Sequence, residues 1–374
     1  MKTATVGLIL PTSSILPMSR HFETGLKSAL KGLSEEGWEI NVVSELVGEG
    51  SKKRVAEAMN NLSGHYDADI ITGIVSNRVV NALADTLGKS KKTILINNIG
   101  EHIPDSRSFN EYTFLHSNHI WKQLWSLNNW AVQTYGRKGM FVASLYDSGY
   151  SFMNMMKLGM IAANPESELP FSVACASDGN TLADPREVLK HITEYKPDFV
   201  LAAFCGEEAS LFLQAYIESG FHKKIPLLSL PFLLESFDAK GEELEIYTTT
   251  ASYSQIEAGF LNGSGAKLQH PFSDLGYESG LIIAEALKQS NGNDLHEVMK
   301  TITANGNNGL FNVNPDFPGR NKKVFLVKNM HTGDKNAIER HIVKELPTIE
   351  IDDPEIRITL DEPGSGWDNP YLGI

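Results

Sequence analysis

A few residues in this chain have types and spacings that could do chemistry. His116 and His119 are three apart, a spacing that can bring two imidazoles to one side of a metal. No H-E-x-x-H and no acid-rich cluster completes a set, so they read as a surface pair, and no metal or cofactor is expected. Cys205 ends an apolar run and meets Gly206-Glu207, where a helix N-terminus would lower a thiol pKa. No histidine is placed to act as its base. Cys175 and Cys205, the two cysteines of the chain, form no CxxC and read as buried free thiols. There is no G-x-G-x-x-G after the first strand, no G-x-x-x-x-G-K-[ST] and no G-x-S-x-G elbow, so nucleotide cradling and serine-hydrolase chemistry lack their motifs. What remains is a set of loops rich in Ser, Asn, Tyr and Gly, suited to hydrogen-bonding a small neutral or zwitterionic molecule. They are Pro11 to Met18, Ile74 to Arg78, Asn97 to Ile103, Tyr146 to Tyr150, Cys205 to Glu207, and Pro231-Phe232.

The elements that position those loops alternate. Thr5 to Leu10 is a continuous apolar run, the pattern of a parallel strand buried on both faces. Phe22, Leu26, Ala29, Leu30 and Leu33 then recur at helical spacing. Strands at Ile40 to Val43, Ala68 to Gly73 and Thr93 to Asn97 alternate with helices at Lys52 to Leu62 and Arg78 to Leu87. The pattern restarts with a helix at Trp121 to Tyr135 and the strand Met140 to Leu145. A helix from Phe152 to Ala162 precedes the strand Phe171 to Cys175. Asp184-Pro185 is an N-cap followed by a first-turn proline. The strand Phe199 to Phe204, a helix from Glu207 to Ser219 and the strand Pro226 to Leu230 follow. Such alternation requires right-handed crossovers and open parallel sheets, so the expected fold is α/β with two Rossmann-like lobes. Beyond Tyr247 to Thr250 come a long helix at Asp274 to Gln289, a shorter one around Leu295 to Ile302, and a β-type pair, Leu310 to Val313 with Val324 to Val327. In such sheets ligands sit outside the carboxyl ends of the strands, where loops lead into helix N-termini. The polar loops lie at those ends.

Charge and composition narrow the function classes. The chain has 374 residues and a formal charge of −13, and it shows no concentrated basic face, so nucleic acid is not an expected partner. No run of about 18 apolar residues exists to span a bilayer. Residues 344–374 hold four prolines and eight acids against two basic residues. They read as an extended tail, either strapped along a lobe by Ile349, Ile351, Ile356 and Ile358 or solvated.

Several short motifs, weak singly, occur in an order that resembles the type I periplasmic solute-binding proteins of ABC importers, in the leucine/isoleucine/valine-binding branch. They are Phe22-Glu23-Thr24-Gly25 at the first helix, Ile71 to Asn77 as a strand–glycine–serine turn, and Asp147-Ser148-Gly149-Tyr150 opening the second lobe's first helix. Lys196 to Val200 resembles the entry to the next ligand loop, and Gly309-Leu310-Phe311 with Lys323-Val324-Phe325 resembles a closing hairpin-like segment. The resemblance implies two lobes joined by a three-segment hinge: 1–117 plus 250–322, and 118–249 plus 323–374 with the acidic tail. It implies an extracytoplasmic, non-enzymatic receptor, monomeric or weakly dimeric. Such a receptor closes an interlobe cleft on a small polar ligand, an amino acid or related metabolite, and delivers it to an ABC permease. A ligand sensor acting through a partner protein is the alternative. It also implies a ligand site at Ser76, Asn77, Ile99, Gly100, Glu101 and Tyr277 on one lobe, and Tyr150, Cys205, Gly206, Glu207 and Phe232, with Pro231, on the other. Asn77 stands where the family often has a hydroxyl, and Glu101 puts a negative charge where a ligand carboxylate would be held. The resemblance also expects an acid at Pro231 or Phe232, and it is missing. From the residues alone, Ser76 and Asn77 could equally cap a helix, and Glu207 could simply favour a helix's first turn. The stripe Trp121, Leu124, Trp125 and the residues Met153, Met155, Met156 and Met160 read as packing.

Overall fold

A computed structural model describes residues 2–13, 17–176, 182–234, 242–251, 271–290, 294–306, 309–314, 323–332 and 337–361. The chain divides into two compact units, one of Met1–Ile120, Leu268–Asn321 and Ile351–Leu372, the other chiefly of Trp121–Lys267 and Lys322–Glu350.

In chain order the first unit opens with β1 (Lys2–Leu10), α1 (Met18–Glu35), β2 (Trp38–Leu46), α2 (Lys52–Asn60), β3 (Ile70–Ile74), α3 (Asn77–Ser90), β4 (Thr93–Asn98) and β5 (Thr113–Ser117). The second contributes α4 (Ile120–Tyr135, starting at the unit boundary), β6 (Gly139–Ser144), α5 (Phe152–Ala163), β7 (Phe171–Ala174), α6 (Arg186–Tyr195), β8 (Phe199–Ala203), α7 (Gly206–Glu218), β9 (Leu227–Ser229) and β10 (Leu244–Thr250). The chain then returns to the first unit for α8 (Pro271–Ser290), α9 (Leu295–Thr301), β11 (Ala304–Gly306) and β12 (Gly309–Phe311). It re-enters the second for β13 (Val324–Thr332) and β14 (Ala337–Leu346), and closes in the first with α10 (Pro354–Asp361).

Each unit is built on an open sheet. The first is five-stranded, order β2-β1-β3-β4-β5, and parallel throughout. The second is seven-stranded, order β14-β13-β10-β9-β8-β6-β7. It is parallel from β7 to β10, with β13 and β14 added antiparallel. In both, the strand that comes first lies between the second and third, so the order reverses beside it. The switch points fall between β1 and β3 and between β6 and β8, and those are the ends where open α/β sheets take ligands. Helices cover both faces, so the central strands are apolar on both sides: β3, β4, β6 and β8 are buried at every position.

Several expectations are corrected. β5 was not foreseen: Thr-Phe-Leu-His-Ser is short and half polar, yet every residue is buried. The segments around Leu310 and Val324 do not pair with each other. β12 pairs with β11, whereas β13 joins β10 and β14. The region read as an extended tail holds the end of β14 and all of α10. Pro354 starts α10 at a position where its missing N–H costs nothing, and Asp353 Oδ1 accepts from Glu355 N at 2.9 Å. From Ile351 the chain belongs to the first unit, so it changes unit a fourth time. Ile349 and Ile356 are buried, while Ile358 is exposed.

Helices α1 and α8 pack unusually closely in the first unit. A Cβ on Gly276 would lie 2.0 Å from Phe22 O, and one on Gly25 2.1 Å from Ser273 O. Gly276→Ala is therefore expected to cost about 1–3 kcal/mol by forcing the helices apart, seen as a lower thermal midpoint. Gly32, on the open side of α1 with nothing within 4 Å of a Cβ, is the control. Gly32→Ala should hold or raise the midpoint, because alanine is the better helix former by about 1 kcal/mol.

Candidate ligand-binding site

At the carboxyl rim of the first unit's sheet, Asn98 ends β4 and is fully buried. Its amide Nδ2 donates to Val75 O (3.0 Å) and to Asn77 Oδ1 (2.8 Å). Its Oδ1 accepts from Gly100 N (3.0 Å) and Ser117 Oγ (2.7 Å). Both N–H groups and both lone pairs are thus used, and three loops are tied through one side chain. Asn77 Nδ2 in turn donates to His102 O at 2.8 Å. The turn leaving β4 is tight: Gly100 has φ +80, and a Cβ there would lie 2.5 Å from His119 Cα. Gly73, with φ +141, passes so close to β1 that a Cβ would lie 2.1 Å from Ile9 O. That close approach is the physical content of the strand–glycine–serine turn. Ser76 is the N-cap of α3, accepting from Arg78 N at 3.3 Å.

The residues expected on this half are therefore brought together, except Tyr277. Ser76, Asn77, Ile99, Gly100 and Glu101 are all buried on adjoining loops, and Asn98 ties Asn77 to Gly100. Tyr277 is half-buried on α8, where its backbone N packs at 2.8 Å from a Cβ position on Gly25 of α1. Asn98 was missed, although an Asn-Asn pair closing an apolar strand is a visible signal. His116 and His119 are corrected from a surface pair to buried residues. His119 holds φ +50 and donates its backbone N–H to Ser117 Oγ at 3.1 Å. His102 is buried and sits near Arg78; burial first, then that cation, depresses its pKa to about 3.

Deeper in the same unit, His116 Nε2 lies 2.9 Å from Glu278 Oε2 and its Nδ1 3.5 Å from Ser279 Oγ. The order of groups is that of a hydrolase triad. The Ser279 hydroxyl, however, donates in a short bond to Asn97 Oδ1 and has no solvent exposure. It joins α8 to the sheet rather than presenting a nucleophile. Glu111, His296 and Glu297 gather ligand-type atoms within 4.8 Å, but Lys300 pairs with both acids at 3.4 and 2.6 Å. That is a surface ion-pair network with its cation already present.

The second unit's rim is acidic where the first is amide-rich. Asp147, in the turn after β6, is buried and accepts from Ser144 Oγ at 3.0 Å. It also takes hydrogen bonds from the side chain and backbone of Cys205, the N-cap of α7. Burial pushes its pKa up to about 7, and the Glu208 carboxylate adds to the rise against those hydrogen bonds. Glu208 is itself buried and accepts from Ala183 N at 2.7 Å. Gly206 takes φ +56 to start the helix. Tyr150 is half-buried, its ring 5.0 Å from that of Phe152. Phe232 is fully buried in a 3-10 turn, with Pro231 half-buried before it. Glu207 is the more exposed of the two acids in the first turn of α7, so helix phase turns Glu208 inward. Cys205 is buried as expected, but Cys175, just past the edge strand β7, is exposed.

Each sheet thus carries a buried polar cluster at its switch point, and the five parallel strands of the two sheets share one order. Residues 3–331 match the family described as periplasmic binding protein. The chain belongs to the periplasmic binding protein family. Its fold is shared with solved structures at low identity. An ABC transporter substrate-binding protein from Sphaerobacter thermophilus aligns with TM-score 0.70 and 21% identity over 93% of this chain and 99% of that one. An R. palustris ABC-transporter solute-binding protein in complex with benzoate gives 0.66 and 17% over 95% and 99%. A leucine-binding protein from Thermotoga maritima gives 0.63 and 17% over 92% and 98%. No functionally curated protein matches the chain in sequence. Among the described residues, no helix is long and apolar enough to cross a membrane.

Two buried titrating groups of this binding protein, Asp147 and His102, act with opposite sign. An acid whose folded pKa is raised favours the folded state below its unfolded pKa of 3.8, and that advantage is lost as pH rises to about 7. His102, depressed from 6.5 to about 3, contributes stability above pH 6.5 that is lost as pH falls. Asp147→Asn should therefore stabilise at pH 8 relative to the parent and lose that advantage by pH 4. His102→Gln should flatten the decline below pH 6.5. Thermal midpoints from pH 4 to 8 check both, and a pH-independent difference for Asp147→Asn would mean its carboxyl does not titrate in this range.

Proposed function

We propose that this periplasmic binding protein is an extracytoplasmic receptor that captures a small polar ligand with the carboxyl-end rims of its two sheets and delivers it to the membrane subunits of an ABC permease. The observation that carries the reading is the repeated topology. Both sheets place a switch point under a cluster of buried, mutually hydrogen-bonded polar loops, and both clusters contain residues that the resemblance assigns to ligand contact. Binding energy would come from a few oriented hydrogen bonds and an aromatic face such as Tyr150. Ligand would shift a hinge equilibrium by its differential affinity for the two states.

The ligand is an amino acid or related small metabolite in this reading, with one constraint from the rim. The solved relatives named above hold benzoate or are named for leucine, and both ligands carry a carboxylate. Here Glu101 lies buried in the loop where such a carboxylate would be held, and a like charge in close contact costs on the order of 1–4 kcal/mol. The acidic groups of the second rim add to that bias. A ligand that presents a neutral polar or cationic group to Glu101 fits the charges better than one held by a carboxylate clamp.

A thermal-shift and native mass-spectrometry screen with amino acids, amides, amines and small acids tests this. A ligand at a hundred times its Kd should stabilise by about 2.7 kcal/mol. Tyr150→Ala should then weaken the hit about tenfold or more, and Glu101→Gln should selectively improve carboxylate ligands. No stabilisation by any class would sink the capture reading. An unchanged Kd in Tyr150→Ala would move the site away from that rim.

A further inference from the structure

Each edge strand of an open sheet offers unpaired N–H and C=O groups that invite another strand, and proteins guard such edges. Three of the four edges of the two large sheets are guarded. β5 is buried at every position, and β7 is only four residues long. β14 carries Glu339, Arg340, Lys344 and Glu345, and its pairing with β13 is interrupted by a register shift. β2 is the exception. It is nine residues long, pairs with β1 in an unbroken register, and contains no Lys, Arg or Pro. Among the described residues, no strand lies on its outer side.

The ladder to β1 fixes which backbone groups of β2 face outward. Lys2 N donates to Gly37 O at 3.2 Å, and Val47 N donates to Leu10 O at 3.1 Å. In a parallel pair such bonds recur at every second residue, so the odd-numbered residues of β2 spend their backbone on β1. Trp38, Ile40, Val42, Ser44 and Leu46 turn theirs outward. The two charges of the strand, Glu39 and Glu45, fall on the inward-bonded positions. Leu46 is 69% exposed, more than any other large hydrophobic residue described. The outward positions therefore combine free backbone groups with a bare leucine and no charge.

We propose that β2 is an interface between two copies of this chain, pairing antiparallel with its counterpart about a two-fold axis at Val43. Such an axis sets even-numbered residues opposite even-numbered ones, so the outward backbone groups meet and exchange about eight hydrogen bonds. Ile40 then covers the partner's Leu46, Val42 lies opposite the partner's Ser44, and Asn41 can donate to the partner's Glu45. Centring the pair on Val42 would set Glu39 against the partner's Glu45, like charges directly opposite. Centring it on Asn41 would leave Leu46 outside the pairing. One strand thus supplies both halves of a charge-compatible pair, which is what makes a second copy the occupant. β2 lies wholly within the first unit, and the proposal uses no part of the capture reading.

Sedimentation velocity on the ligand-free full chain, over a range of concentrations, tests it. Pairing over residues 40–46 is small beside a standard interface of about 1,600 Å², so the parent should dimerise weakly and reversibly. Val42→Pro removes an outward N–H and leaves the ladder to β1 intact, and it should abolish the dimer. Leu46→Lys changes an exposed side chain and so keeps the fold, with an unchanged thermal midpoint. It should weaken the dimer about tenfold, because symmetry removes the Ile40 contact twice. In a Cys175→Ser background, Val43→Cys should cross-link two copies on mild oxidation, since the axis brings those residues face to face. Asn41→Cys should not. A parent that stays monomeric into the near-millimolar range, a dimer that survives both Val42→Pro and Leu46→Lys, or cross-linking at 41 rather than 43 would each overturn the interface. No ligand enters the measurement, so failure of the ligand screen leaves this result standing, and failure here leaves the capture reading standing.

Discussion

A parallel strand covered by helices on both faces can be almost wholly apolar, but the chain must leave it at the carboxyl end. There the last peptide groups have no further ladder to join, and little water reaches them. Each unpaired buried polar group costs on the order of 1–3 kcal/mol, so the rim has to provide partners. In the first unit the provision converges on Asn98, whose four bonds reach Val75, Asn77, Gly100 and Ser117. In the second it converges on Asp147, served by Ser144 and Cys205. The left-handed turn at Gly100, the capping of α3 by Ser76 and the seating of Cys205 at the head of α7 all follow from satisfying those two rims.

The sheet cores were legible in the sequence because burial on both faces writes a continuous apolar run. Ile70–Ile74 and Phe199–Ala203 could be little else once flanked by helical periodicity. β5 was not legible, since its histidine and serine are buried by partners on other elements, which a window of five residues cannot show. β14 mixes runs of charged and apolar residues and presents an edge, so it resembles surface chain until β13 is placed beside it. The error over Leu310 and Val324 has the same origin: two short apolar runs with a turn between them suggest a hairpin, but pairing is decided by which sheet each can complete.

At the rims, the location of the loops was legible and their inner chemistry was not. Strand–helix alternation fixes where the carboxyl ends fall, so Ser76, Asn77 and the Gly100 turn were found together. Which amide becomes the hub depends on contacts 19 to 23 residues away, and Asn98 was passed over for Asn77. The same limit explains His116 and His119. A histidine looks like a surface residue until Glu278 and Ser279 arrive from α8, more than 160 residues later. Glu207 and Glu208 differ only by helix phase, which was readable in principle from the apolar positions Ala209, Phe212 and Leu213 on the inward face.

The two units satisfy their rims with different chemistry. An amide network such as Asn77–Asn98 has no charge to change, and it presents both donors and acceptors whatever the pH. A buried carboxyl with a pKa about 7 does change, between a neutral group that can donate and an anion that only accepts. The second rim thus holds a group whose charge changes with pH, while the Asn77–Asn98 amides of the first do not. Topology makes the two rims alike; what differs is the group at the centre of each, the Asn98 amide in one and the Asp147 carboxyl in the other.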